Sequence, residues 1–155
     1  MYLSSIINAM IPLYGSNVRF RLYLRLREFF RKHKMIFMAK CLKSYILQKY
    51  GCELSINAEI SPKAQFMHTV GVVIGDGCKV YPSVIFYSNV VLGRKNIYIE
   101  NDYPTIKNNV VLCTGATILG KIVIVENTII GAKSLVTSNI LTVGTYAGIP
   151  AKKIK

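Results

Sequence analysis

Residues 110–136 read VVLCTGATILGKIVIVENTIIGAKSLV, and one interval runs through them. Large aliphatic side chains fall at Leu112, Ile118, Ile124, Ile130 and Val136, six residues apart. Four residues after most of them stands a small or short-branched residue: Ala116, Thr128 and Ser134, with Ile122 a larger fit. Neither the roughly 3.6-residue period of a helix nor the alternation of an ordinary strand produces this spacing. Self-similarity at a short fixed period marks a solenoid.

The frame extends backwards through Ile106, then through Leu92, Phe86, Val80 and Ile74, then through Phe66, Ile60 and Leu54. The accompanying small positions are Ala58, Ala64, Val70, Cys78, Val84, Val90 and Val110, and Asn96 breaks the rule. Three six-residue faces, 18 residues in all, close a triangular coil in which the large residue fills the prism. The residue four later faces inward near a corner, where little room is left. Strands of successive coils pair, which satisfies the backbone along the stack. The expected fold is mainly β, a parallel β-helix of hexapeptide repeats over residues 51–155.

The frame slips twice. Phe66 to Ile74 spans eight residues, and Leu92 to Ile106 spans fourteen, read as two six-residue steps plus two. A packed prism expels extra residues outward, and outward loops on a rigid scaffold are where sites are built. The first bulge begins beside His68, and the second occupies residues 94–104 with Glu100, Asp102 and Tyr103 near its end.

The front of the chain differs. The net charge is +13 over 155 residues, of which residues 1–50 carry +9. Residues 18–49 have a helical period, with Leu22, Leu26, Phe29, Phe30 and His33 as one stripe. Met35, Ile36, Met38, Ala39, Leu42 and Ile46 continue it, as one helix or as two broken near residues 33–34. Pro12 and Gly15 set off a leading helix over residues 2–10, and Gly51 is the stop signal. An α-helical segment, 1–50, therefore precedes the coil domain, 51–155. Cys41, Cys52, Cys78 and Cys113 form no CxxC pair and read as reduced thiols. The N-terminus lacks the basic region of a secretory signal, and no apolar run reaches the roughly 18 residues of a membrane span. The expected location is cytoplasmic, extending to the inner face of the membrane.

The stretch MHTVGVVIGDG, residues 67–77, resembles the histidine-containing bulge of the serine acetyltransferase branch of hexapeptide-repeat acyltransferases. YAGIPAKKIK, residues 146–155, resembles that family's closing G-x-P-A-[K/R] segment, and the polysaccharide-cluster members share a basic helical front. The resemblance implies left-handed winding and transfer of an acetyl group from acetyl-CoA to a hydroxyl. An alcohol keeps its proton at neutral pH, so a base within reach is needed, and histidine suits it. His68 falls on the family's catalytic histidine, and Glu53, fifteen residues earlier, on the aspartate that orients it. The family's CoA contacts carry over to Thr114 and Ala132, 18 residues apart, with Thr114 replacing the usual alanine. Gly131 gives the pantetheine arm room, and Lys152 and Lys153 are placed to neutralise CoA phosphates. No metal is expected, since a zinc-dependent relative needs three histidines and this chain has two, His33 and His68.

The acceptor positions depart from the family. Tyr103 stands where a second histidine precedes P-x-I, Asp102 where an arginine adjoins it, and Met67 where an aspartate precedes the catalytic histidine. Loss of the arginine removes a bidentate carboxylate partner. With Asp102 and Tyr103 as acceptor contacts, the expected substrate is a neutral sugar hydroxyl of a cell-surface polysaccharide or its precursor. The family tail that docks cysteine synthase is also missing from the expected match. The alternatives are serine O-acetylation and a catalytically inactive scaffold. The expected assembly is a homotrimer or a dimer of trimers, with peripheral membrane contact through residues 18–49. No recognisable nucleic-acid module accompanies the positive charge.

Overall fold

The computed structural model describes residues 16–155; the expected helix over residues 2–10 lies outside them. Short strands wind into a triangular prism of three parallel faces, the β-helix expected from the period of six, with the left-handed winding that the resemblance implied. The first face stacks β1 (Glu53–Leu54), β4 (Val73–Ile74), β7 (Val91–Gly93), β10 (Thr117–Leu119) and β13 (Leu135–Val136). The second stacks β2 (Glu59–Ile60), β5 (Lys79–Val80), β8 (Thr105–Ile106) and β11 (Val123–Ile124). The third stacks β3 (Gln65–Phe66), β6 (Ile85–Phe86), β9 (Val111–Leu112) and β12 (Ile129–Ile130), then β14 (Thr145–Gly148) and β15 (Ala151–Lys153). The last two form an antiparallel hairpin that closes the coil.

Every large residue of the frame, from Leu54 to Val136, is buried, because each inward position must fill the prism. Burial pushes the thiols of Cys52 and Cys78 up to about 12, so both are inert packing groups. Corner turns need a left-handed backbone, which asparagine tolerates: Asn109 and Asn127 both have φ of 57°, and the Asn109 amide donates to the Asn127 side chain at 3.1 Å.

The register shows what each slip contains. Val73 pairs with Val91, and Thr117 with Leu135, an 18-residue coil. Glu53 pairs with Val73, two residues more, and Val91 with Thr117, eight more. The second slip is therefore one six-residue step plus an eight-residue loop, not two steps plus two. No rung forms in it, because its backbone amides turn to a side chain of the loop itself, as described below. In the first bulge, Val70 is 65% exposed, and Val72 takes the inward corner expected of it. The extra residues shift the frame between them: the Gly71 amide donates to Gly51 and the Glu53 amide to Val72.

The front is two helices, α1 (Ser16–Lys32) and α2 (Ile36–Tyr50), broken at residues 33–35 with Lys34 at φ 53°. The Gly51 amide donates to Leu47 and ends α2 in a left-handed cap. The stripe of α1 that packs inward is Phe20, Tyr23, Leu24, Arg27 and Glu28, whereas Phe29 and His33 face out. This corrects the stripe through Leu22, Leu26, Phe29, Phe30 and His33. A count of apolar residues misses it because two of its members are charged. The helix lies across the open end of the prism, where the first coil leaves carbonyls without a rung below. The Arg27 guanidinium donates to the carbonyls of Ser55 and Ala58, and Glu28 pairs with Arg27 and Arg31. Phe20 meets Phe66 edge-on at 4.9 Å, and Phe66 stacks on Phe86 at 4.7 Å, so the helix continues the core of the coil. The boundary at Gly51 separates two periods, but one core spans both.

Candidate active site

The third face meets the first along one edge of the prism, and successive coils place residues 67–72, 87–90, 113–116 and 131–134 there. His68, Ser88, Thr114 and Ala132 thus form a ridge, one per coil. Backbone bonds lock the layers: the Asn89 amide donates to Val70, the Gly115 amide to Ser88 and the Lys133 amide to Thr114. The Ser88 hydroxyl lies 3.4 Å from the Thr114 hydroxyl. Gly71 has a positive φ, and a Cβ there would fall 2.0 Å from the Asn89 side chain, so the bulge that presents His68 needs a glycine.

His68 is exposed, with its ring 6.1 Å from that of Tyr87. Among the described residues the ring makes no hydrogen bond. Glu53 begins β1, directly below Val73 and next to the same edge. Its carboxylate accepts from Lys43 of α2 at 3.0 Å and makes no hydrogen bond to His68. The helical front thus reaches the position expected to orient the base.

The C-terminal hairpin carries Lys152 and Lys153, both exposed, beside β12. A Cβ on Gly131 would meet that of Ala147 at 3.0 Å, and the Gly131 amide donates to Tyr146 at 2.7 Å. Gly131 therefore admits the hairpin rather than leaving open space on the ridge.

Asp102 and Tyr103 do not join the ridge. Their loop leaves β7 and enters β8, at the edge between the first and second faces. Asp102 is 7% exposed. It accepts from the amides of Lys95 and Asn96 on one oxygen and of Lys121 on the other, at 2.7 to 2.9 Å. These amides, that of Asn96 foremost, hold its carboxyl below the usual range. Asp102 therefore ties the loop to the coil, with both carboxylate oxygens engaged within the chain. The Tyr103 ring lies on the backbone of Gly75 and Gly77, and a Cβ at Gly77 would fall 2.4 Å from it. The Arg94 guanidinium sits 4.9 Å from the ring centroid and donates to the Tyr103 hydroxyl at 2.7 Å. A polar cleft of about 650 Å³ opens beside this stack, lined by Glu59, Asp76, Lys79, Arg94, Tyr103 and Lys121.

No family model matches the chain. A serine acetyltransferase from Staphylococcus xylosus is 32% identical over 133 residues, which cover 86% of this chain and 61% of the relative. Soybean serine acetyltransferase complexed with serine superposes with a TM-score of 0.79 at 28% identity, covering 85% of this chain and 54% of that one. The chain is a homologue of the serine acetyltransferases. A serine acetyltransferase in complex with CoA shares the fold over 96% of this chain and 65% of its own, with a TM-score of 0.81 at 23% identity. The chain spans about half to three-fifths of the length of the curated relatives it matches, from 49% to 61%.

In this serine acetyltransferase homologue, sequence reading missed Arg94, Lys43 and Ser88. Arg94 puts a guanidinium on the loop expected to contact the acceptor, where the motif position had lost one. Nothing in the sequence signals this, since Arg94 and Asp102 stand eight positions apart. Ser88 could have been found by counting back along the frame from Thr114 across the loop insertion. Among the described residues, no group of three or more His, Cys, Asp or Glu could hold a metal ion. No helix among them is long and apolar enough to cross a membrane.

Proposed function

We propose that the chain is an acetyl-CoA-dependent O-acetyltransferase with His68 as general base. The observation that carries this is the single ridge of His68, Ser88, Thr114 and Ala132, which lines a base up with a track for an extended thioester donor. His68 takes the proton of the acceptor hydroxyl, whose oxygen attacks the thioester carbonyl. The tetrahedral adduct collapses, the carbon–sulfur bond breaks, and the imidazolium returns its proton to the CoA thiolate. Glu53 orients the imidazole once it turns from Lys43, and Lys152 and Lys153 receive the CoA phosphates.

The acceptor we favour is L-serine. The relatives carry that name, and Arg94 restores a cation for its carboxylate on the loop beside Tyr103. A sugar hydroxyl is the second reading, favoured by the mixed-charge cleft beside the loop, lined by Glu59, Asp76, Lys79 and Lys121. In either reading Asp102 acts through the loop it holds.

The ridge and the loop lie on different edges of one prism, so they complete a site only when the loop of one copy faces the ridge of another. Head-to-tail contacts of that kind close into a ring, and three copies match the triangular section. The test is CoA release from acetyl-CoA with L-serine and with a panel of sugars, using His68→Ala as control. Turnover with serine that vanishes in the variant supports the reading. Turnover with sugars alone selects the second acceptor, and activity that survives His68→Ala overturns the mechanism.

A further inference from the structure

The helical hairpin ends in a tip that none of the described residues covers. Phe37 is 76% exposed, Ile36 59%, Phe29 50%, Met35 40% and Met38 37%. They crowd into the last turn of α1, the break, and the first turn of α2. Arg25, Lys32, Lys34 and Lys40 are exposed around them. The one acid in residues 1–52 is Glu28, which is buried and paired with Arg27 and Arg31. The next, Glu53, is paired with Lys43. The tip therefore sets apolar side chains inside a ring of positive charge; Lys32 shares a cleft with Glu28 and Glu59, and among the described residues Arg25, Lys34 and Lys40 make no ion pair.

That combination discriminates between occupants. A second copy of the same tip would bring like charges together with no acid to pair them. A layer of lipid phosphates supplies the opposite charge to the ring, and the acyl boundary beneath it takes the phenylalanine and isoleucine side chains. We propose that this tip docks on an anionic phospholipid bilayer, with Ile36 and Phe37 entering the headgroup–acyl boundary and Arg25, Lys32, Lys34 and Lys40 among the phosphates. The contact is peripheral, and it stands apart from the chemistry at His68.

The test is sedimentation of the full chain with vesicles of phosphatidylcholine, with and without phosphatidylglycerol. Binding is expected only where phosphatidylglycerol is present, and it falls as salt is raised several-fold. Phe37→Asp, and separately the pair Lys34→Glu with Lys40→Glu, lower partitioning by about tenfold or more. Ile154→Asp, an exposed apolar position in the C-terminal hairpin segment, leaves it unchanged. Melting temperature and particle mass are recorded for each variant. Equal binding to both vesicles, binding to neither, or binding indifferent to Phe37→Asp overturns the proposal. So does a fall in particle mass with Phe37→Asp while vesicle binding persists, which assigns the tip to a second copy.

Discussion

The two working edges of the prism are built by different means. The histidine ridge is made by repetition: each coil delivers its residue to the same corner, and the ladder of backbone bonds fixes it. The loop edge is made by exception. Eight inserted residues are held by one carboxylate on three amides and by a tyrosine seated on two glycines. A ridge residue can thus be changed without disturbing the scaffold beneath it. A loop residue cannot be changed without disturbing the geometry of the loop itself.

The sharpest way to break this contrast is His68→Ala. The side chain is exposed and makes no hydrogen bond among the described residues, so the unfolding free energy from thermal denaturation stays within about 0.5 kcal/mol of the parent. Acetyl transfer falls about a hundred- to ten-thousandfold in kcat. Gly77→Ala works the other way. The new Cβ collides with Tyr103, destabilises the fold by about 1–3 kcal/mol in thermal denaturation, and raises KM for the acceptor. KM for acetyl-CoA is unchanged. Thr114→Tyr reverses that split, raising KM for acetyl-CoA by about tenfold while the melting temperature holds. The smallest expected effect concerns Asp102. Its carboxyl is held down in the folded chain, so its contribution is complete above the unfolded value of about 3.9 and is lost as pH falls through the lower folded value. Hydrogen exchange at Lys95, Asn96 and Lys121 should lose protection over that acid range. Asp102→Asn should show the loss already at neutral pH.

The slips in the frame were legible as places where the chain leaves the prism, because an inward position either fits or does not. The content of the slips was not. Whether fourteen residues hold one rung or two depends on whether the extra amides find a neighbouring coil or the Asp102 carboxylate. That competition is settled by packing. The inward stripe of α1 was hidden for a related reason. Arg27 and Glu28 are buried because the bottom of the coil presents carbonyls to them, and the helix alone contains no trace of that surface.

The sequence by itself determined the coil, its inward positions and the one-coil spacing of Thr114 and Ala132; that His68 shares their edge came with the structure. In a solenoid, counting residues is enough to place each one on a face or an edge, since every turn repeats the same local geometry. Only the tertiary structure decided that Val72 replaces Val70 at the corner, that Arg94 donates to the Tyr103 hydroxyl, that Lys43 holds Glu53, and that the loop of Asp102 and Tyr103 rises from a different edge than the histidine. Those are contacts between segments whose separation follows no period, so they exist only once the chain has closed on itself.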